Sequence, residues 1–469
     1  MKYVSTRGRA PILDFQDVTL AGLAPDGGLY LPSEWPCFSA DQIRACKGLS
    51  YAQLAAEIMQ PFVGDSLGGA ELRGLCAETY GADIFAAGDV TPLVKLDERH
   101  GLLELFHGPT LAFKDIALQL LGRLFAIFLA RADRRLMIVG ATSGDTGSAA
   151  IHAVAGLPNV DIVMLHPESR ISDVQRRQMT TVSAANVHNV SIRGSFDDAQ
   201  AMVKRMFVDS RVTDTIDLGA VNSINWARLM AQVVYYFRAA LQLGAPDRAA
   251  VFSVPTGNFG DVFAGYVAQA MGLPIHRLLV ATNENDILHR ALAQGDYSKR
   301  TVRPTAAPSM DIQVSSNFER LLYCEGGRDG VGLTQQMRSF DDSGRLELAA
   351  EQKEGAARLF SSYAITADQM TQAMRTAHTR YGQVVDPHTA IGLAAAFDFA
   401  KDGSCDPATP IVTLATAHPA KFPDAVEAAI GRAPDVPDRL ADALRGEEFC
   451  TSLPADYDTV RDFVLEKAS

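Results

Sequence analysis

The sequence predicts an α/β protein in which parallel sheets carry helices on both faces. From about residue 96, short β-branched or apolar runs are followed by glycine-containing turns and then by helical periodicity. This alternation repeats several times, which is how parallel sheets covered by helices are built. Apolar residues make up 47% of the 469 positions, which is enough for a substantial core.

The alternating region contains six strands with their connections, in chain order. Three segments run from strand through a glycine loop or turn into a helix, namely "RRLMIVGATSGDTGSAAIHAVAG" (134–156), "RAAVFSVPTGNFGDVFAGYVAQAMG" (248–272) and "PIVTLATAHPAKFPDAVEAAIG" (410–431). Three further segments read as strands, namely "VDIVMLHP", "NVHNVSIRG" and "IHRLLVATN". We expect helices in "SDVQRRQMTTV" and "SFDDAQAMVKRMFVD", capped by Ser172 and Ser195. Residues 223–243 form the pattern of a long amphipathic helix.

The first 95 residues differ from the rest. They are turn-rich, with "STRG", "APDGGLYLP" and "GADIFAAGDVTPL" joined by helical stretches, and we expect a separate N-terminal domain over 1–95. Residues 96–469 would form two α/β lobes, the smaller over roughly 130–230 and the larger over the remainder. Within them, 300–350 indicates an irregular insertion or a helical excursion.

Charge and composition argue against several classes of partner. The chain has 43 basic and 55 acidic side chains, a formal charge of −12, and no long run of either sign. This disfavours nucleic acid or a membrane as a partner. No segment approaches a membrane-spanning length, "MKYVSTRGRAPILDFQDV" lacks a secretory pattern, and we expect a cytoplasmic protein. Six cysteines lie far apart without metal-ligand spacing, so we expect reduced thiols and no metal site.

One lysine stands out in "FHGPTLAFKDIALQ" (106–119). In the apolar helix that follows, Asp115, Gln119 and Arg123 form a polar stripe, and Lys114 lies about 100° away from it. The lysine could extend along apolar surface to water. Alternatively, a water-poor cleft could make its amine a nucleophile and proton carrier, and the usual target is the aldehyde of pyridoxal phosphate.

Two loops could hold an anion. Both "TGNFGD" (256–261) and "ATSGDTG" (141–147) follow a strand and open a helix, where free backbone N–H groups and the helix dipole attract negative charge. Neither matches a P-loop or a dinucleotide-binding glycine pattern. Together with the lysine, they suit a ligand with two anionic ends.

These residues belong to a longer set of matching segments. The chain resembles the threonine synthase family, in the branch with the N-terminal "STRG…DGGL" domain, through segments that follow the family's order: "YVSTRG", "APDGGLYLP", "LFHGPTLAFKD", "ATSGDTG", "NSINWARLMAQ", "VPTGNFGD" and "TAHPAKF". The resemblance implies a tryptophan-synthase-β-like fold (fold type II of pyridoxal-phosphate enzymes). It also implies conversion of O-phosphohomoserine and water to threonine and phosphate, with pyridoxal 5'-phosphate as cofactor.

The resemblance also implies roles for particular residues. Lys114 would bind the cofactor covalently, and Thr416 would hydrogen-bond its ring nitrogen. The cofactor-phosphate loop would comprise Gly257, Asn258, Phe259, Gly260 and Asp261. The substrate carboxylate would be received by backbone N–H groups of Thr142, Ser143, Gly144, Asp145 and Thr146. The family often has Ser at Thr256 and Gly at Ala415, two small departures.

The implied chemistry is a γ-elimination followed by a β-hydration. Lys114, once displaced by the substrate amine, would move protons among the α, β and γ carbons. The departing phosphate requires a second anion pocket, for which the candidates are Lys421, Arg228, His107, Asn222, Ser223 and Asn225. His107 and His418 could equally be packed histidines, and we interpret Asp115 as a residue that favours the helix dipole.

Two other functions remain open at this stage. One is another enzyme of the same fold, a β-eliminase or phospholyase. The other is a relative without catalysis that binds the cofactor or phosphate. We expect a small-molecule substrate and a monomer or homodimer.

Overall fold

The computed structural model describes residues 1–86, 88–142, 144–168 and 171–468. Its strands, in chain order, are β1 (Tyr3–Ser5), β2 (Tyr30–Pro32), β3 (Leu93–Lys95), β4 (His100–Glu104), β5 (Leu136–Ala141), β6 (Val160–Pro167), β7 (Val187–Arg193), β8 (Leu218–Gly219), β9 (Ala250–Pro255), β10 (Ile275–Thr282), β11 (Phe360–Ala364), β12 (Ile411–Ala415) and β13 (Thr451–Pro454).

The helices of the same residues alternate with these strands. They are α1 (Phe15–Ala21), α2 (Ala40–Ala45), α3 (Tyr51–Val63), α4 (Gly69–Thr79), α5 (Lys114–Ala132), α6 (Asp145–Val154), α7 (Asp173–Thr180), α8 (Phe196–Met206), α9 (Ser210–Thr213), α10 (Trp226–Leu243), α11 (Gly260–Ala270), α12 (Ile287–Gln294), α13 (Phe318–Glu325), α14 (Gly330–Ser343), α15 (Ala350–Leu359), α16 (Ala367–Tyr381), α17 (Pro387–Lys401), α18 (Pro423–Ile430), α19 (Asp438–Arg445) and α20 (Tyr457–Ala468). No described helix is both long enough and apolar enough to cross a membrane.

The chain divides into two compact units. The first comprises Met1–Val18, Leu23–His107 and Ser223–Asp435, and the second comprises Thr19–Gly22, Gly108–Asn222 and Val436–Ser469. The first unit contains a large sheet and the two-stranded antiparallel sheet β1-β2, and the second unit contains one sheet.

The sheet of the first unit has the strand order β11-β10-β9-β12-β4-β3. Its pairings are parallel except that of β3 with β4. The strands β9 and β12 are fully buried, as expected for strands covered on both faces. Helices α16 and α17 form a hydrophobic cluster with residues of β4 and β10 on this sheet.

The sheet of the second unit has the order β13-β7-β6-β5-β8, and all its pairings are parallel. Its core joins apolar residues of β5, β6 and β7 to those of α8 and α20. The predicted fold class, parallel sheets with helices on both faces, is therefore confirmed.

Several predicted elements are found where the sequence indicated them. Ser172 and Ser195 cap α7 and α8, each accepting a backbone N–H of the first turn through its side chain. The segment 300–350 is a helical excursion that includes α13 and α14.

The amphipathic helix predicted at 223–243 is found as α10, and it is buried on nearly all sides. Nearly every residue of α10 is buried, including the polar Arg228 and Gln232. The helix packs on α3 and on α11, so it has no broad face toward solvent. Buried polar side chains within it accept or donate internal hydrogen bonds, as between Gln232 Nε2 and the Arg228 carbonyl.

Part of the polar stripe of α5 lies against a neighbouring helix. Gln119 is 3% exposed and donates from Nε2 to the His152 carbonyl of α6 at 3.1 Å. The helices α5 and α6 pack closely at Gly122, where a Cβ would lie 2.3 Å from the Ala153 carbonyl oxygen. A stripe of polar residues can therefore lie against a neighbouring helix when its groups are hydrogen-bonded.

Candidate active site

The chain turns sharply just before Lys114, the first residue of α5. Leu111 has a φ of 60°, and Phe113 at the helix N-cap makes no side-chain capping bond. Asp115 fixes this turn, because its buried carboxylate accepts from the Thr110 N–H at 2.8 Å and from the Thr110 hydroxyl at 2.7 Å. Asp115 thus does more than favour the helix dipole.

The amine of Lys114 is held inside the second unit. Its Nζ lies 3.6 Å from Asp145 Oδ2 and 4.8 Å from the centroid of the Phe113 ring. The side chain of Lys114 is 11% exposed and that of Asp145 is 3% exposed. Such burial beside a carboxylate differs from that of a lysine extended into water.

A second residue fixes the carboxylate of Asp145. Gln175 of α7 is 7% exposed and donates from Nε2 to Asp145 Oδ1 at 3.1 Å. One turn later, Gln178 donates from Nε2 to the Thr110 carbonyl at 3.0 Å. The helix α7 therefore contacts both loops that flank the lysine.

Sequence reasoning missed Gln175 and Gln178. They belong to "SDVQRRQM", a strongly polar stretch that is typical of a solvated helix. The one available signal was the N-cap Ser172, which places Gln175 at the third helical position.

The loop after β5 is organised by Thr142. Its hydroxyl accepts from the N–H of Gly144 at 3.0 Å and from the N–H of Gly147 at 3.1 Å. Gly147 must be small here, because a Cβ would lie 2.3 Å from Thr142 Cγ2. Thr146 is half-buried at the first turn of α6, whose N-cap Gly144 makes no side-chain capping bond. Ser143, also predicted in this loop, lies outside the described residues.

In the first unit, the loop after β9 leads directly into α11. Phe259 occupies the N-cap position with a φ of 63° and no side-chain capping bond. Thr256 organises the turn, since its hydroxyl accepts from the Phe259 N–H at 3.2 Å and donates to the carboxylate of Asp261. Serine, which the family often has at this position, also carries a hydroxyl, and in this chain the hydroxyl of Thr256 forms two hydrogen bonds within the turn.

The carbonyl groups of this loop are bonded on one side. The Gly257 carbonyl accepts from Ser315 Oγ at 2.7 Å, and the Asn258 carbonyl accepts from the N–H and from Nδ2 of Asn317, each at 3.0 Å. In a trans peptide, the N–H of the next residue points in the opposite direction to the carbonyl group. Among the described residues, the N–H groups of Asn258 and Gly260 have no hydrogen-bond partner. Unpaired N–H groups at a helix N-terminus fit a phosphate.

Thr416 lies at the same edge of the first unit's sheet. It follows β12 directly, and the carboxyl ends of the neighbouring parallel strands β9 and β4 lie beside it. Thr416 is 6% exposed, and no described residue hydrogen-bonds its hydroxyl. A hydroxyl at this edge that no described residue hydrogen-bonds fits hydrogen bonding to a ring nitrogen.

Two histidines lie at this edge as well. His107 Nε2 is 2.7 Å from Glu104 Oε2, and the ring of His418 packs edge-on against Phe106. Burial lowers the pKa of His418 to about 4, and the neighbouring His107 contributes in the same direction. The Nδ1 of His418 accepts the Ala420 N–H at 3.1 Å, so His418 has a structural partner and is neutral near pH 7.

Arg228 is a buried cation in α10, the helix that packs on α11. It is 4% exposed, and its Nη1 has no hydrogen-bond partner among the described residues. Burial lowers the pKa of Arg228 to about 10, while the negative charge of Asp261 opposes that shift.

The other candidates for an anion pocket differ in role. Asn225 caps α10 by accepting the Ala227 N–H at 3.0 Å, and Lys421 is 2% exposed. Ser223 Oγ lies 2.7 Å from Ser316 Oγ, whereas Asn222 belongs to the second unit. Within the described ranges, no cluster of three His, Cys, Asp or Glu side chains could hold a metal ion.

Family models match most of the chain in three pieces. Residues 2–80 match the model described as threonine synthase N terminus, and residues 84–338 match that of the pyridoxal-phosphate dependent enzymes. Residues 389–464 match the model described as threonine synthase, C-terminal.

Individual relatives give the same picture. The chain is 52% identical over 467 residues to a threonine synthase of Pseudomonas aeruginosa, covering 99% of this chain and 98% of that protein. The solved structure of pyridoxal-phosphate-bound threonine synthase from Brucella melitensis has a TM-score of 0.96 and 50% identity, covering 100% and 99% of the two chains. Threonine synthase from yeast has a TM-score of 0.94 and 37% identity, covering 99% and 98%.

Proposed function

This chain belongs to the threonine synthase family, and from that membership we propose how its residues perform the family's reaction. The reaction converts O-phospho-L-homoserine and water to L-threonine and phosphate, the last step of threonine biosynthesis. The observation that carries this conclusion is the similarity over 99% of the chain to a threonine synthase.

The cofactor is pyridoxal 5'-phosphate, which when bound withdraws electrons from the substrate carbons so that their protons can leave. We propose that Lys114 holds its aldehyde carbon covalently and that Thr416 hydrogen-bonds its ring nitrogen. Its phosphate would be held by the 257–261 loop. The unpaired N–H groups of Asn258 and Gly260 support this assignment.

Lys114 moves the protons in the proposed mechanism. Once free of the cofactor, its amine would take a proton from the α carbon of the substrate and would exchange protons at the β and γ carbons. Loss of phosphate from the γ carbon and addition of water at the β carbon then give threonine. The buried setting of the amine supports this role, because it limits competing exchange with water.

Asp145 assists the lysine in this proposal. A carboxylate 3.6 Å from Nζ stabilises the ammonium form, so Lys114 can keep a proton between its removal and its return. Gln175 contacts one carboxylate oxygen of Asp145 and Lys114 contacts the other, so the negative charge of Asp145 faces these two side chains. The substrate carboxylate would then meet the backbone of the 142–146 loop.

Within that loop, we propose that the N–H groups near Thr146 receive the substrate carboxylate. Thr142 already accepts the N–H of Gly144 and of Gly147. The first turn of α6 supplies further N–H groups and the positive end of its dipole.

Location and assembly complete the proposal. We infer that the protein works in the cytoplasm as a monomer or homodimer on a small-molecule substrate. Six free cysteines and a net charge of −12 support a reducing compartment and no nucleic-acid partner. Light scattering during size-exclusion chromatography tests the assembly.

One assay separates this function from the two alternatives. Purified protein is incubated with O-phosphohomoserine, and phosphate and threonine are measured together. Equal amounts of both are expected. Phosphate with an oxo acid and no threonine would instead identify an eliminase or phospholyase, and cofactor binding without turnover would identify a binding protein.

The role of Lys114 has a test of its own. Borohydride reduction of the protein with bound cofactor, followed by peptide mass spectrometry, should place the cofactor mass on Lys114. Lys114→Ala should lose that mass and the turnover, whereas Lys95→Ala, at an exposed lysine paired with Glu98, should retain both. Cofactor attached to another lysine would overturn the assignment.

A further inference from the structure

Two sequence features have no part in the mechanism above: the N-terminal "STRG…DGGL" motif and the 300–350 excursion. Both lie in the first unit, as does the 257–261 loop. Hydrogen bonds connect all three, and the connecting residues are far apart in sequence.

The first contact is between the excursion and the loop. Ser315 Oγ donates to the Gly257 carbonyl at 2.7 Å, and Asn317 donates twice to the Asn258 carbonyl. The Nδ2 of Asn317 also donates to the Ser223 carbonyl at 3.1 Å. Both Ser315 and Asn317 are buried.

The loop's glycines leave room for this segment. A Cβ on Gly257 would lie 3.1 Å from the Ser309 carbonyl oxygen and 3.2 Å from the Met310 Cα. On Gly260 it would lie 3.2 Å from Asn317 Nδ2. The two glycines therefore permit close packing on the excursion, in addition to any approach of an anion.

Arg320 fixes the side chain of Asn317. It is fully buried, and its Nη1 donates to Asn317 Oδ1. Its Nη2 donates to the Tyr30 carbonyl at 2.8 Å and to the Ile224 carbonyl at 2.5 Å. Since Oδ1 accepts from Arg320, the amide group of Asn317 must present Nδ2 to the loop.

The N-terminal motif holds the other side of the same helix. Thr6 Oγ1 donates to Glu319 Oε1 at 2.6 Å, and Arg7 binds both carboxylate oxygens of Glu319 at 3.2 Å. Tyr30, whose carbonyl receives Arg320, belongs to "DGGLYLP". The start of α13 is thus bonded to both halves of the motif.

We propose that Asn317 and Arg320 are positioning residues for the phosphate loop, and that the N-terminal motif and the excursion serve to hold them. By binding the Gly257 carbonyl, Ser315 orients the N–H of Asn258 toward the opposite side, where an anion is bound. By binding the Asn258 carbonyl, Asn317 fixes the next peptide of the loop, whose N–H bonds to Thr256. This inference rests on the proposed function, because it takes the loop to be the holder of the cofactor's phosphate.

Asn317→Asp is the most informative variant. The new carboxylate keeps the shape and the bond to Arg320 but loses the Nδ2 donor, and it places a negative oxygen against the carbonyls of Asn258 and Ser223. Because the Asn258 carbonyl loses a donor and meets a negative oxygen, we expect the Kd for pyridoxal phosphate to rise about tenfold or more. A tenfold rise corresponds to about 1.4 kcal/mol of binding free energy. The ³¹P resonance of the bound cofactor should shift as well, since the donors around the phosphate move.

Asn186→Asp is the matched control. Asn186 likewise donates from Nδ2 to backbone carbonyls, those of Val154, Leu157 and Val160, but has no bond to the loop. It should lower the melting temperature and leave the Kd and the ³¹P resonance unchanged. Arg320→Lys, which weakens the bond to Asn317 Oδ1, should raise the Kd in the same direction. Its control is Arg290→Lys, because Arg290 is 2% exposed and bonds to Asp286 and Asp296, outside the 257–261 loop.

The outcomes distinguish the two levels of the proposal. If wild-type protein binds pyridoxal phosphate and Asn317→Asp binds it with unchanged Kd and ³¹P resonance, the positioning role is wrong and the function stands. A wild-type protein that binds no pyridoxal phosphate would overturn the function itself. If Asn317→Asp fails to fold, Ser315→Ala, which removes one bond to the Gly257 carbonyl, should still raise the Kd without unfolding the protein.

Discussion

At the residue scale, the setting of Lys114 depends on its ion pair with Asp145. The pair with Asp145 is mostly buried, so water screens it little, and removing one partner leaves an unbalanced charge. Gln175 donates to the remaining carboxylate oxygen, which keeps the pair in one geometry. Residues that contact Lys114 therefore determine how readily it gains and loses a proton.

Asp145→Asn tests this dependence. The amide keeps the size of the side chain but cannot balance an ammonium, so we expect kcat to fall about 10²-fold, in the range of a lost acid–base contribution. The pH at which kcat is half-maximal should also change, and stopped-flow measurement over pH 6 to 9 would record both.

Asp161→Asn is the control for that variant. Asp161 is also buried and paired, with Arg135 at 2.7 Å, but it stands at the amino end of β6, whereas the 142–147 loop follows the carboxyl end of β5. It should lower stability and leave the kcat profile in place. Equal losses of kcat in both variants would contradict a specific role for Asp145.

His418 gives a prediction about acid stability. Its pKa is lowered to about 4 in the folded state, chiefly by burial, with His107 and Lys421 acting in the same direction against Glu104 and Asp386. Between about pH 6.5 and 4 the unfolded chain binds a proton there that the folded chain does not. Stability is therefore lost as the pH falls through this window, by at most about 3 kcal/mol from this residue.

The measurement compares urea unfolding of wild-type protein and His418→Asn at pH 7 and pH 4.5. Asparagine can still accept the Ala420 N–H that His418 Nδ1 accepts, but it does not titrate. The variant should lose less stability on acidification than the wild type. An identical loss in both proteins would show that other groups govern the acid sensitivity.

At the element scale, α5 presents Lys114 because it packs closely on α6. The contact at Gly122 allows no side chain, and Gln119 bonds across it. The substitution Gly122→Ala should destabilise the protein by about 1–3 kcal/mol through overpacking. In α4, Gly74 has open space around its Cβ position, so Gly74→Ala should instead stabilise the protein by about 0.4–1 kcal/mol.

Both variants are measured by urea denaturation, with turnover as a second readout. Gly122→Ala should also reduce turnover, because a shift of α5 displaces the amine of Lys114. A Gly122→Ala protein as stable as the wild type would show that α5 and α6 can separate at no cost.

Six of the eleven strands of the two sheets, namely β5, β6, β7, β9, β10 and β12, could be predicted from the sequence because their signal is local. The stretch "VDIVMLHP" is apolar and β-branched, and it coincides with β6. The burial of α10 and of the Gln119 stripe could not be predicted, because periodicity records which residues are polar but not which hydrogen bonds they find. Short strands such as β8 and β13 carry too few residues for a pattern.

At the scale of the whole molecule, contacts between distant segments limit which residues of the candidate site can be predicted from the sequence. The motifs led to Lys114 and to both glycine loops, since each lies within a few consecutive residues. No local motif indicates a role for Gln175 or Arg320. The partner of Gln175, Asp145, lies 30 positions away, and a partner of Arg320, Tyr30, lies 290 positions away. Only the fold shows that Gln175 bonds to Asp145 and that Arg320 bonds to Asn317.

Cofactor binding should stabilise the folded chain by mass action. A ligand that binds only the folded state adds about 2.7 kcal/mol at a free concentration 100 times its Kd, and the gain grows logarithmically with concentration. We expect the urea midpoint of cofactor-free protein to rise with pyridoxal phosphate in this way. Pyridoxal, which lacks the phosphate, should give a much smaller rise because the N–H groups at the start of α11 remain unpaired. Lys114→Ala should keep part of the stabilisation by pyridoxal phosphate and lose the part due to the covalent bond. Equal midpoints with pyridoxal and pyridoxal phosphate would contradict the assignment of the 257–261 loop as the phosphate site.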